Sequence, residues 1–311
     1  MRLLTAVLAL LVACAVPASA QSTAPLPTIG DLSNRAINQI PAKELFGAQK
    51  TPANMASRAI GFYSKGCLAG AVALPINGPT WQVMRLSRNR NWGHPALIAL
   101  LERLAADAQK LDGWNGLMIG DISQPRGGPM LTGHASHQIG LDADIWLTQM
   151  PNHIMTRSER EKISATSVIK DRKTMNYKVW TEAHARLIKR AASYPEVARI
   201  FVHPPIKAEL CKWATGDRSW LAKVRPYYGH NYHFHVRIKC PKGFAGCKDQ
   251  PAPAPKDGTG CGEELAYWMS DKPWLPPKPV KRDPNAPKPK PPKPLTITGL
   301  PAECRTVVTV E

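Results

Sequence analysis

Five of the nine histidines in this chain fall in two short runs, "GHASHQIGLDAD" (Gly133 to Asp144) and "GHNYHFHVR" (Gly229 to Arg237). A buried imidazole needs a partner for each ring nitrogen, so such clustering suits a shared ligand better than core packing. In the second run Tyr232, Phe234, Val236 and Ile238 alternate with His233, His235, Arg237 and Lys239. That is the period-two pattern of a half-buried strand, and it projects His233 and His235 from one face. An exposed polar face would account for this pair alone, but not for both runs. In the first run Gly140 separates a turn-like part from a strand-like part, where Asp142 and Asp144 share one face and Leu141, Ala143 and Ile145 the other. A turn that folds His137 back over that strand sets imidazole beside carboxylate. Two imidazoles and a carboxylate are a catalytic zinc set that leaves a fourth position for water, whose pKa falls toward neutrality there. A neighbouring histidine then serves as general base or stabilises the tetrahedral oxyanion. The chemistry needs four residues, and the runs offer seven: His134, His137, Asp142, Asp144, His230, His233 and His235.

Other hydrolytic mechanisms leave little trace. Ser167-Val-Ile-Lys170 fits S-x-x-K, but Lys173-Thr174-Met175 lacks the glycine of K-T-G. H-E-x-x-H and G-x-S-x-G are both absent.

The elements that position the two runs are legible as a mixed set. Trp81 to Leu86 reads as a strand, and after Pro95 the apolar positions Leu97, Leu100, Leu101, Leu104, Ala108 and Leu111 recur at helical spacing. Leu117 to Ile122 reads as a buried strand ending in Gly120-Asp121, followed by the turn-rich "SQPRGGPM". A helix is expected over Thr181 to Ala192, a strand over Val197 to Val202, and a helix opened by Pro204-Pro205 and running through Leu210. Strands and helices do not alternate strictly, which places the chain in the α+β class.

The chain of 311 residues, 43% hydrophobic, is long enough for one large domain with terminal extensions. Residues 1–20, "MRLLTAVLALLVACAVPASA", have the anatomy of a secretory signal peptide, and "LVAC" ending at Cys14 also matches a lipoprotein cleavage box. No apolar segment is long enough to span a bilayer. Residues 21–58, mixed in Pro, Ser, Ala and Gln, read as a loosely ordered leader. The catalytic domain is expected over 59–271, and 272–311 form a basic tail whose Lys272 to Pro294 part carries ten Pro, seven Lys or Arg and one Asp. That part is either a solvated spacer or a tether to an anionic matrix. Setting Cys14 aside, six cysteines remain in an exported chain, which reads as three disulfides, with Cys240 and Cys247 close enough to close a local loop. The net charge of +18 calls for an anionic partner. Export makes a cell-wall polymer or membrane surface a better fit than nucleic acid.

His137-x-x-Gly140-x-Asp142-x-Asp144 with His233-x-His235 resembles the superfamily of lysostaphin-type endopeptidases, zinc D-alanyl-D-alanine peptidases and the hedgehog domain. Within it, "GHASHQIGLDADIW" and "HNYHFHVR", flanked by "IFVHPPIKAELC", "WLAKVRP" and "CGEEL", resemble the penicillin-insensitive murein endopeptidases over roughly Ile60 to Trp268. The resemblance implies a mostly antiparallel central sheet with flanking helices. It implies zinc on His137, Asp144 and His235, with His233 as the catalytic histidine. The substrate would be peptidoglycan, the anionic murein of the periplasm, cut at the D-alanyl to meso-diaminopimelyl amide. Ala135 and Asp142 match the endopeptidase branch rather than the carboxypeptidase branch. A second metal of that branch would recruit His134 and Asp171; alternatively His134 hydrogen-bonds a ligand's second nitrogen. His230, out of phase with the strand, is expected to contact substrate or support the oxyanion, and Asp142 to buttress a ligand. His94, His153, His184 and His203 are expected to be structural or exposed. Disulfides Cys211 to Cys261 and Cys67 to Cys304 are likewise implied. The alternative function is a non-catalytic, zinc-containing wall-binding protein, for which His233 would have no use.

Overall fold

The computed structural model describes residues 34–243, 245–276 and 293–310. The signal segment, Cys14 and most of the Lys272 to Pro294 stretch lie outside the described residues.

A six-stranded sheet carries the site, ordered Trp81–Val83, Leu117–Ile119, Asp142–Trp146, His233–Ile238, Val197–Val202, Val224–Pro226. The three inner pairings are antiparallel. Both edge pairings are parallel, so the expectation of a mostly antiparallel sheet holds at the centre and fails at the edges. The reason is connectivity. Helix Pro95–Leu111 lies between the first parallel pair and helix Pro204–Trp213 between the second, and a parallel pair requires such a crossover.

Period-two alternation separates the sheet's two faces. Leu141, Ala143, Ile145, Phe234, Val236 and Ile238 are buried in one core with Leu97, Leu100, Leu101 and Leu104 of the first helix and Leu187 and Ile188 of helix Glu182–Ser193. Burying each such side chain contributes about 1.5–3 kcal/mol, so this face holds the strands rigid beneath the polar one. On the opposite face, antiparallel register pairs His235 with Asp144 and Arg237 with Asp142.

Two strands are shorter than their apolar runs. The first ends at Val83, after which Arg85 adopts a left-handed conformation (φ 56°) and Leu86–Arg88 form a single 3₁₀ turn. The second ends at Ile119, releasing Asp121 toward the polar face. Both departures bring charged side chains to the site rather than extending the sheet.

A second core lies beside the first. Helix Ala42–Ala48 buries Leu45 and Phe46 against Ile60, Cys67, Ile297, Leu300, Cys304 and Val307. The stretch read as a loosely ordered leader is thus helical from Asn34 to Ile37 and from Ala42 to Ala48. Its apolar residues lack a partner in local sequence, because the partner is the C-terminal segment at the far end of the chain. Disulfide Cys67–Cys304 ties strand Lys65–Ala69 to that C-terminal segment, and Cys211–Cys261 and Cys240–Cys247 complete the expected pairings. Arg126, buried, donates to the carbonyls of Val307 and Val308 at 3.1 Å each, capping the terminal helix Glu303–Thr309 from the loop that leads to the first histidine run.

Candidate metal centre

The turn before the Asp142–Trp146 strand places His137. Its backbone is left-handed (φ 66°), and Gly140 is as well (φ 69°), where a Cβ would stand 2.4 Å from Leu68 Cδ2 and 2.9 Å from the His94 nitrogen. Glycine is required there by both conformation and space. The folded-back turn is pinned by Ser123 Oγ donating to the His137 carbonyl (2.7 Å) and by the His137 amide donating to Asp142 Oδ2 (3.1 Å).

The rings of His137 and His235 are each oriented by an acceptor behind them. His137 Nδ1 lies 2.6 Å from the Ile122 carbonyl oxygen, and His235 Nε2 lies 2.8 Å from Asp142 Oδ1. A carbonyl and a carboxylate only accept, so those nitrogens carry the protons. The opposite nitrogens, His137 Nε2 and His235 Nδ1, therefore present lone pairs, and they face each other at 3.2 Å. Asp144 Oδ1 stands 3.4 Å from each of them, buried and without a hydrogen bond. Three acceptors converging without a proton is unfavourable unless a cation lies between them. Atoms bonded about 2.0–2.1 Å from one tetrahedral metal ion stand about 3.4 Å apart, close to the spacing of these three. The donor set fits a metal ion, with His137, His235 and Asp144 on one side of it.

The electrostatics agree. Burial works against protonating His137, yet the Asp144 carboxylate outweighs it and raises its pKa, as expected where positive charge is favoured between acceptors. Burial lowers the His235 pKa to about 4, so its ring is neutral near pH 7. Burial would raise Asp142, but Arg237 and His235 overcome it and hold the carboxyl well below its usual range. Asp144 is likewise held low against burial, by His233 and His137. Arg237 Nε donates to Asp142 Oδ1 at 2.7 Å and stacks its guanidinium 4.1 Å from the Tyr63 ring centroid, so the buttress is itself buttressed.

His134 offers a further arrangement, since it, His137 and Asp144 have ligand atoms within 4.8 Å of one another. Its Nε2 lies 3.0 Å from Asp121 Oδ2 and 3.5 Å from Asp144 Oδ2, so it addresses the second oxygen of Asp144. Asp121 was not singled out from sequence. Burial opposes its ionisation, but His134, Arg90 and Arg88 lower its pKa to about 2. Its only signal was an acidic residue directly at the end of an apolar strand. Asp171, the partner expected for His134, is exposed and accepts from the Lys173 amide at 2.8 Å. The carboxylate that His134 meets directly is Asp121.

His233 and His230 stand at the flanks. His233 Nε2 is 3.6 Å from Asp144 Oδ1, and its Nδ1 is buried without a partner. His230, left-handed at φ 58°, sets its Nδ1 2.6 Å from the Tyr228 carbonyl. That leaves Nε2 as an acceptor. Burial, then His235 and His233, lowers its pKa to about 3, so the ring is held neutral with Nε2 available as a hydrogen-bond acceptor. His94 caps helix Pro95–Leu111 by accepting from the Ala96 amide, and His184 lies between Trp114 and Trp180 with Nε2 on the Leu147 carbonyl. His203 is buried at the head of helix Pro204–Trp213, and His153 is exposed beside Glu159. Ser167 Oγ bonds the Ile169 carbonyl and Asn231 while Lys170 is exposed, so that pair makes no nucleophile.

The centre is open on two sides. A cavity of about 280 Å³ borders Asp144, His233 and Tyr232, and one of about 420 Å³ borders His235, His230 and Phe201, with His134 on both.

Residues 59–309 match a family described as penicillin-insensitive murein endopeptidase. A protein of that name from Haemophilus influenzae is 48% identical over 240 residues, 76% of this chain and 79% of its own. Proteins of the same name from Klebsiella pneumoniae subsp. pneumoniae and Salmonella newport are 43% and 42% identical over 244 residues, 78% of this chain and 86% of theirs.

Proposed function

The chain belongs to the penicillin-insensitive murein endopeptidase family and is a murein-cleaving hydrolase; from that premise we propose that it cuts the D-alanyl to meso-diaminopimelyl cross-link with zinc held by His137, Asp144 and His235. The observation that carries the zinc reading is the convergence of two imidazole lone pairs and one unpartnered carboxylate oxygen at 3.2–3.4 Å, each ring oriented by a proton acceptor behind it. Zinc in that position supplies Lewis-acid polarisation of a carbonyl and makes water ionisable near neutral pH.

The protein's own groups perform the remaining tasks. Asp142 and the Ile122 carbonyl hold the two rings in the tautomers that face the centre. His233 is the proposed catalytic histidine, moving a proton between attacking water and the leaving amine; its buried, unpartnered Nδ1 is free to take part. His230 offers the Nε2 lone pair from the other flank, as a hydrogen-bond acceptor for a substrate N–H. Cavities on both sides suit a chain that continues past the scissile bond in each direction, as an endopeptidase requires.

Among the described residues no helix is long and apolar enough to cross a membrane. Three disulfides suit an oxidising compartment, and we place the enzyme in the periplasm, with the +18 charge drawing it to anionic murein. The non-catalytic wall-binding alternative is set aside by the family assignment. Digestion of purified murein with and without a chelator tests the reading. Loss of cross-linked muropeptides only in the metal-replete arm supports it, and unaffected cleavage after complete metal removal contradicts it.

A further inference from the structure

We infer that the cavity between Arg85 and His233 is a carboxylate-binding subsite, with Arg85 receiving the free carboxylate on the carbon that bears the scissile nitrogen. The inference rests on the cross-link assignment above.

Charge accounting singles out Arg85. Of the cationic side chains on this cavity, Arg88 is spent on Asp121, at 3.0 Å, alongside Arg90 at 2.8 Å. Arg85 forms no ion pair among the described residues. Its Nη1 and Nη2 donate to the carbonyls of Arg160 and Ile163, at 3.2 and 2.8 Å, and its guanidinium carbon lies 5.5 Å from the Trp146 ring centroid. A guanidinium carries five N–H donors, so most of its donor capacity is still available. The Glu161 carboxylate accepts from the Ser87 amide and hydroxyl at 2.8 Å each; against burial, these bonds lower its pKa, and Arg85 adds to the lowering but makes no direct ion pair with it.

The backbone and the floor point the same way. Arg85 holds a left-handed conformation at φ 56°, which is costly for a residue with a side chain and is found where surrounding structure imposes it. Gly120 forms part of the floor, where a Cβ would stand 3.0 Å from Trp146 Nε1. The result is a recess of about 280 Å³ that opens beside Asp144 and His233, in which Asp121 is held by Arg88 and Arg90 while Arg85 keeps no ion-pair partner among the described residues. In the proposed substrate the amide nitrogen being released and a free carboxylate share one carbon of diaminopimelate. A carboxylate so close to the scissile bond must lie within one residue of the centre, and planar guanidinium matches carboxylate geometry. The bland account is that Arg85 only caps the short helix Arg157–Lys162 through those carbonyls.

The test uses two synthetic cross-linked peptides that differ in this one group, carboxylate or carboxamide, and a second pair that differs only at the free carboxylate of the donor stem's diaminopimelate. Wild-type enzyme is expected to prefer the acid over the amide by about 10- to 100-fold in kcat/KM, the range of a hydrogen bond to a charged group. The second pair should show no comparable preference. Arg85→Gln should abolish the preference by lowering kcat/KM on the acid to the level of the amide peptide, and Arg85→Lys should restore part of it. Equal cleavage of both peptides by the wild type, a measurement independent of any variant's folding, would overturn the inference alone. So would an Arg85→Gln enzyme that is slower on both peptides with the preference intact, which is the signature of a helix cap. Cleavage of none of the peptides would overturn the cross-link assignment together with it.

Discussion

Asp142 Oδ1 lies 2.8 Å from His235 Nε2, on the face of the strand pair where Arg237 reaches the same oxygen at 2.7 Å. One carboxylate thus fixes the tautomer of a proposed ligand while its own charge is held by a buried guanidinium. Replacing Asp142 with Asn puts an NH₂ group where an acceptor is needed by either the His137 amide or His235. Metal affinity is expected to fall by about 10- to 100-fold, with one ion still bound at saturation. Competition against a chelator of known affinity checks this, and unchanged affinity would show that Asp142 serves the fold alone.

His233→Ala is expected to keep the metal and to lose about 10²- to 10⁴-fold in turnover, the usual loss on removing a general acid or base. The ring sits 3.6 Å from Asp144 Oδ1 but outside the 3.2–3.4 Å triangle of proposed ligands. Elemental analysis beside the rate separates the roles. Loss of metal together with activity would make His233 a ligand.

How far the site could be read from sequence depends on the range of each contact. The pairing of His235 with Asp144 follows from two short alternating strands, each of which displays its polar face in its own residues. Asp121 was invisible because its link to His134 crosses a turn-rich loop with no periodicity, and an acid at a strand end has many bland explanations. The parallel sheet edges were hidden for a related reason: the helices Pro95–Leu111 and Pro204–Trp213 were legible, but which strands they bridge as neighbours is a long-range matter. Phe46 and Leu45 read as leader because their partners, Ile297 and Val307, lie at the far end of the chain. Arg85 falls within the Trp81 to Leu86 run that reads as a strand, and only the left-handed turn shows that it leaves the sheet for the cavity.

Acid should destabilise the fold through His203. Burial lowers its pKa from 6.5 to about 4, so between those values the unfolded chain takes up a proton that the folded chain refuses. Its contribution is fully present above about pH 6.5 and is lost as pH falls toward 4. Thermal melts of metal-free protein at about pH 7.5 and about pH 4 should show a smaller drop in Tm for His203→Gln than for wild type. Equal drops would mean that His203 does not titrate in this range.

The disulfides should differ in weight. Cys67–Cys304 closes 237 residues and Cys240–Cys247 only 7, so chain entropy assigns them about 5 and about 2 kcal/mol. Paired Cys→Ser replacements, compared by denaturant unfolding, are expected to rank in that order. The long bridge also fastens the terminal helix that Arg126 caps, so its loss should expose the second core to protease first. The opposite ranking would mean that the Cys240–Cys247 loop, not the terminal staple, limits stability.

The most direct measurement titrates zinc into chelator-stripped protein while release of monomer from a cross-linked muropeptide is followed, for wild type and for His137→Ala, Asp144→Ala and His235→Ala. The account predicts that wild-type cleavage rises with zinc and saturates at a single tightly bound ion per chain, about one equivalent. It predicts that each variant fails to reach that occupancy and stays inactive at the same free zinc while retaining its circular dichroism spectrum. Stoichiometric zinc with full cleavage in any of the three variants, or full wild-type cleavage with no metal bound, would contradict it.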